Sequence, residues 1–157
     1  MDILSKEQYQ HFLLNLISNK GAHANAFNAL VGITPEIAGK QLEGYPNTIW
    51  QLIKHINYWQ NFVVESLEGN GPKMPQKAQE SWAFETAPAN QDALDLEYAI
   101  FMDSVAKAKQ LAMELEGFEE WEHLRIMAAH ISYHIGQIVL LRQVFGNWDS
   151  ETLGLTW

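Results

Sequence analysis

The hydrophobic positions of this chain recur at the 3.6-residue spacing of an α-helix, and no segment shows the alternation typical of a half-buried strand. The start signals agree with this pattern. Ser5 and Gln8 have the spacing of a capping box, Thr34 precedes Pro35, and Asn47 is a natural N-cap. We therefore predict a short helix over residues 35–39 and four long amphipathic helices over about residues 6–30, 47–69, 92–116 and 120–145.

One long connection separates the second and third long helices. Between Gly69 and Asn90 it contains three prolines and two glycines and has no sustained period, but Trp82 and Phe84 are too apolar for a disordered linker. An ordered connection of this length predicts an all-α four-helix bundle with a crossover between the second and third helices. We expect a single domain over residues 1–157, with the apolar tail residue Trp157 packed back onto it.

Composition narrows the possible functions. The chain has no cysteine, so a metal would be bound by imidazole, carboxylate or water oxygen. Lys and Arg number 10 against 19 Asp and Glu, a net charge of -9, which would repel phosphate backbones and anionic membranes. We predict no nucleic-acid or membrane partner. Because the N-terminus does not resemble a signal peptide and no run approaches the roughly 18 apolar residues that span a bilayer, we expect a cytoplasmic protein.

Three histidines are the strongest functional signal. His130 and His134 are four residues apart in the fourth helix, so both rings lie on one face, and His55 lies among core positions of the second helix. Three imidazoles can bind one metal ion and leave a coordination position open, which is typical of catalytic zinc. Alternatively, the histidines are polar core residues that bond to their neighbours. Three unpaired imidazoles would be costly to bury, which favours the metal.

Other metal signatures do not fit. Ile131 follows His130, so the pair is not the HExxH motif of zinc proteases, in which that position is Glu. Glu120 and His123 match half of the carboxylate di-iron pattern, but the chain has no second Glu-x-x-His. We interpret His123 as a solvated residue near the start of the fourth helix, with a distant pocket residue as the alternative.

The segments NTIWQLIKHINYWQ (47–60) and AAHISYHIGQIVLLRQVFGNW (128–148), and more loosely ALVGITPEIAGKQLEGYP, resemble the DinB/YfiT-like family of four-helix-bundle candidate metalloenzymes. The most specific part is the paired histidine motif followed by Gly136, Gln137 and Arg142. The resemblance implies that the metal ligands are His55, His130 and His134. It further implies a divalent ion, first zinc or nickel and then manganese or iron, and a homodimer.

The resemblance leaves two activities open for a small-molecule substrate: a metal-dependent hydrolase, or an S-transferase or isomerase that uses a low-molecular-weight thiol. In both, neutral ligands leave the full charge on the ion, which lowers the pKa of bound water or stabilises a thiolate. The rival hypothesis is a non-catalytic, stress-associated module that binds a metal or a small ligand. Further candidate residues around the site are Gln137, which could orient a ligand, the neighbours Tyr133, Tyr58 and Asn57, and the possible pocket walls Trp50, Trp59 and Trp82.

Overall fold

The computed structural model describes residues 5–18 and 24–153, so the tail residue Trp157 lies outside the described range. The described residues are helical and contain no strand, as predicted for an all-α protein. A 3-10 turn at Ala78–Ser81 interrupts the long connection. The α-helices are α1 (Lys6–Ile17), α2 (Ala26–Leu30), α3 (Pro35–Gly39), α4 (Ile49–Leu67), α5 (Gln91–Glu114), α6 (Phe118–Val144) and α7 (Ser150–Leu153).

The first predicted helix is two helices. α1 ends at Ile17, and the Ser18 hydroxyl donates a hydrogen bond of 2.6 Å to the Leu14 carbonyl in its last turn. α2 then starts anew, because the Asn25 side chain accepts a hydrogen bond of 2.9 Å from the Asn28 backbone N–H. An asparagine side chain satisfies a helix start better than a helix interior. The prediction of one helix over 6–30 was therefore wrong.

The N-caps are partly as predicted. The capping box of Ser5 and Gln8 is confirmed, and Thr34 caps α3. α4, however, begins after Thr48 instead of Asn47, since Thr48 and Gln51 form a second capping box. The last two long helices also begin slightly earlier than predicted, at Gln91 and Phe118, and both reach close to their predicted ends.

α4 and α5 lie side by side and run in the same direction. The Asn57 amide donates hydrogen bonds to the Glu97 backbone carbonyl at 2.8 Å and to its carboxylate at 2.7 Å. One turn further along α4 and two turns further along α5, the Ser104 hydroxyl donates to the Asn61 side-chain oxygen. The residue numbers of the bonded pairs rise together along both helices, which shows that the two helices are parallel. α1 packs against α5 and α6, and α4 also packs against α6, so the four long helices enclose one core.

Two parallel neighbours require a connection that returns along the bundle, and residues 81–87 provide it alongside α4. The Thr48 hydroxyl donates to the Thr86 carbonyl at 2.7 Å, and the Gln51 amide donates to the Ala83 carbonyl at 3.0 Å. The connection also passes close to α3, where a Cβ on Gly39 would lie 2.4 Å from the Ala87 Cβ. Backbone and side-chain contacts thus hold this segment in place.

α6 packs against α1, α2, α4 and α5. The helical period of the sequence predicts an inner face for this helix, and the structure buries every one of its positions: Leu124, Met127, Ala128, Ile131, Ile135, Ile138 and Val139. Among the described residues, α6 is also the one helix long and apolar enough to cross a membrane. Half of its most apolar window is buried inside the protein, and core helices of soluble proteins pass the same test, so this is weak evidence for a membrane span.

Near its C-terminal end, α6 contributes a buried arginine to the core. Arg142 is 2% exposed, and its guanidinium donates to the carbonyls of Asn28 at 3.1 Å and Ala29 at 2.9 Å. It also donates to the Asn147 carbonyl at 3.0 Å and side-chain oxygen at 2.9 Å. Arg142 therefore links α6 to the end of α2 and to the loop that follows α6.

Candidate metal centre

The structure brings the three predicted histidines together between α4 and α6. The ring centre of His55 lies 5.1 Å from that of His130 and 4.8 Å from that of His134, and the two α6 rings are 4.5 Å apart. One ring nitrogen from each residue lies within 4.8 Å of the other two. His55 and His134 are buried and His130 is half-buried. The group is compatible with metal binding.

Hydrogen bonds orient two of the three rings. His55 Nδ1 lies 3.2 Å from the Ser81 carbonyl oxygen, and His134 Nδ1 lies 2.6 Å from Gln137 Oε1. Both oxygens are acceptors, so each Nδ1 carries the proton and donates it. In a neutral imidazole the other nitrogen, Nε2, is then unprotonated and free to bind a cation. An Nδ1–H bond to a carbonyl is also the usual partner of a metal-bound histidine.

The third histidine, His130, is also placed to bind a metal ion. His130 Nε2 lies 3.0 Å from His134 Nε2. If both rings carried their proton on Nδ1, two nitrogen lone pairs would face each other at this distance, which is unfavourable without a proton or a cation between them. Nitrogens bound to one tetrahedral zinc are about 3.3 Å apart, close to this spacing. The donor set therefore suits a divalent ion.

Burial keeps the cluster neutral. Desolvation lowers the pKa of His55 to about 4, against a smaller opposing effect of the bond to Ser81. Desolvation and the two neighbouring histidines lower the pKa of His130 to about 4. The pKa of His134 is also lowered by desolvation, although its bond to Gln137 acts in the opposite direction. At neutral pH all three rings are therefore in the neutral form that binds metals.

Two of the three predicted aromatic walls are present. Trp82 stacks on His55, with ring centres 3.8 Å apart and an angle of 7° between the planes. Trp59 lies edge-on to both His55 and His130, with its ring centre 6.5 Å from each. Trp50 is instead part of the core, with the Lys54 ammonium 5.5 Å above its ring.

The other predicted neighbours have different roles. His123 is exposed near the start of α6, as expected of a solvated residue. Asn57 links α4 to Glu97 on α5, and Tyr58 places its ring 5.4 Å from that of Trp59. Tyr133 is largely exposed, although its ring centre lies 4.9 Å from that of His134. Of the polar neighbours suggested by the sequence, Gln137 is the one with a hydrogen bond to a site histidine.

Sequence reasoning missed the contribution of Ser81. Its backbone carbonyl orients His55, and its hydroxyl donates to the Ala78 carbonyl at 2.8 Å within the 3-10 turn. A backbone carbonyl has no residue-type signature, so no sequence motif could have shown it. The nearest signal was Trp82 in the next position. Phe84, the other apolar residue of this segment, is 98% exposed and does not hold it in place.

Comparison with known proteins agrees with this geometry. A family model for the DinB superfamily matches residues 20–138, a span that contains His55, His130, His134 and Gln137. Neither the curated proteins nor the solved structures contain a match to the chain. Because the matched span covers more than half of the sequence and includes the whole histidine cluster, this chain belongs to the DinB superfamily.

Proposed function

We propose that the protein is a metal-dependent enzyme that acts on a small molecule, either as a hydrolase or as an S-transferase for a low-molecular-weight thiol. His55, His130 and His134 would hold one divalent ion, with zinc or nickel the first choice because imidazole suits both. The convergence of three neutral imidazoles, two of them oriented by hydrogen bonds, carries this proposal. A homodimer, a cytoplasmic location and the lack of nucleic-acid or membrane partners remain predictions.

When bound, an ion with three neutral ligands keeps its full charge and can lower the pKa of a water or stabilise a thiolate. The residues of the chain provide the setting for that chemistry. The Ser81 carbonyl and Gln137 fix the rings of His55 and His134, and Trp82 covers one face of His55. Since the chain has no cysteine, any reacting sulfur would come from the cosubstrate.

Tag-free protein tests the metal site directly, since an affinity tag would add histidines. We expect one equivalent of zinc or nickel by elemental mass spectrometry, or one binding event when metal-free protein is titrated by calorimetry. Metal-loaded protein is then assayed for ester and amide hydrolysis and for transfer of a thiol to an electrophile. Failure to take up zinc, nickel or manganese would overturn the proposal. Tight binding without turnover of any substrate would favour the non-catalytic binding module.

A second prediction concerns Gln137, the hydrogen-bond partner of His134. Gln137→Leu removes the acceptor that keeps the proton on Nδ1, and loss of such a partner typically costs 10- to 100-fold in metal affinity. We expect a loss of this size in competition with a zinc chelator. Gln137→Glu should retain affinity because a carboxylate also accepts the bond. The control is Gln143→Leu, at an exposed position further along α6. Equal affinities for Gln137→Leu and wild type would show that this bond does not tune the site.

A further inference from the structure

An apolar cavity of about 310 Å³ adjoins the histidine cluster. It is lined by Trp59, Val63, Ile126, Met127 and His130. The first four are apolar, and the fifth is a histidine of the candidate metal centre. We call this cavity the His130 pocket. A larger cavity of about 440 Å³ lies elsewhere, between α2, α4 and α5, and its lining includes none of the three site histidines.

The antiparallel packing of α4 and α6 forms the His130 pocket. Trp59 and Val63 are four residues apart on α4, and Ile126 and His130 are four residues apart on α6, so each pair presents one helix face to the pocket. Met127 is buried, whereas Ile126 is 52% exposed. The pocket therefore reaches solvent near Ile126 and meets the candidate metal centre at His130.

We propose that the His130 pocket binds an apolar arm, a small alkyl or aryl group, of the molecule whose reacting group lies at the three-histidine centre. This inference rests on the proposed function and specifies its substrate class. None of the four side chains is charged, so a charged group would lose its hydration on entering without gaining an ion-pair partner. An apolar group instead gains from burial, and about 300 Å³ is the lower end of the usual range for small-molecule sites.

In the transferase version of the function, the lining also indicates which of the two substrates, the thiol or the electrophile, carries the apolar arm. A low-molecular-weight thiol with a charged body would find no opposite charge among the side chains of Trp59, Val63, Ile126 and Met127. The apolar arm therefore belongs to the electrophile, and in the hydrolase version to the acyl or leaving group. In either version the reacting atoms lie beside His130, and the apolar arm extends through the His130 pocket towards Ile126.

Straight-chain alkyl hydroxamates are suitable probes, because the head group binds metal ions and the tail can be lengthened one carbon at a time. We expect the affinity of zinc-loaded protein to rise about three- to fourfold with each added methylene over the first few carbons and then level off once the pocket is full. Isothermal calorimetry on the series from acetohydroxamate to octanohydroxamate measures this dependence without any assay of activity.

Variants assign the effect to the pocket. Ile126→Ser makes the mouth polar at a half-exposed position and should reduce the gain per methylene, whereas Ile126→Phe should shorten the chain length at which affinity levels off. Leu140→Ser is the matched control, because Leu140 is 50% exposed on the same helix and does not line the pocket. It should leave the series unchanged.

The outcomes separate this inference from the proposed function. If zinc does not bind, the proposed function fails. If zinc and acetohydroxamate bind but affinity does not rise with chain length, only the inference about the pocket is overturned. The same conclusion follows if Leu140→Ser flattens the series as much as Ile126→Ser does, since the tails would then bind without using this pocket.

Discussion

Replacing His134 with alanine is expected to abolish stoichiometric metal binding. His134 Nε2 lies 3.0 Å from His130 Nε2, and its ring centre lies 4.8 Å from that of His55, so its loss leaves two imidazoles. We expect a fall in zinc affinity of well over 100-fold, beyond the loss of an outer partner such as Gln137. The chain itself should still fold, because the substitution also removes a buried polar group.

Thermal unfolding with and without zinc provides the measurement. A ligand at about 1,000 times its Kd stabilises the folded state by about 4.1 kcal/mol, so zinc should raise the melting temperature of the wild type far more than that of His134→Ala, which binds it more weakly. The control is His123→Ala, which removes an exposed histidine from the same helix and should behave like the wild type. One equivalent of tightly held metal in His134→Ala would contradict the assignment of His134 as a ligand.

The largest expected loss of stability follows from substitution of Arg142. Its guanidinium is buried and donates to the carbonyls of Asn28, Ala29 and Asn147, and it lies 5.3 Å from the centre of the Trp148 ring. Burial lowers the pKa of Arg142, but the hydrogen bonds offset the cost of burying the charge. Arg142→Ala leaves these carbonyls unpaired beside a new cavity, and we expect a loss of about 3–5 kcal/mol in the free energy of unfolding.

Urea denaturation followed by circular dichroism measures this loss. Arg142→Lys should fall between wild type and Arg142→Ala, because one ammonium cannot reproduce the spread of donors on a guanidinium. Arg125→Ala is the matched control on α6. Arg125 pairs with Glu122 at 2.5 Å near the surface, where solvent screens the pair and its contribution to stability is small. A loss below about 1 kcal/mol for Arg142→Ala would show that the surrounding carbonyls find other partners.

Most of the candidate site could be predicted because it depends on helical spacing. His130 and His134 share a face of α6 in any regular helix, and the apolar positions around them identify that face as the inner one. The position of His55 on another inner face required only that α4 pack against α6. The same periodicity predicted the buried stripe of α6 without reference to any contact.

The helix starts were harder to predict because capping depends on contacts beyond the local sequence. Asn47 and Thr48 are both good N-cap residues. Thr48 takes this role in the structure, where its hydroxyl also donates to the Thr86 carbonyl on the returning connection. That contact joins residues 38 positions apart in the sequence. The role of the Ser81 carbonyl could not be predicted for the same reason, since its position depends on the path of the whole connection.

The returning connection makes the topology of the bundle inseparable from its chemistry. A protein engineer who replaced residues 68–90 with a short turn would force α4 and α5 to run in opposite directions. The redesigned bundle could keep its apolar core and all three histidines, yet it would lose Ser81 and Trp82 and thereby the partners that hold the His55 ring. Such a redesign would therefore keep the three histidines but would leave the His55 ring without the contacts that orient it.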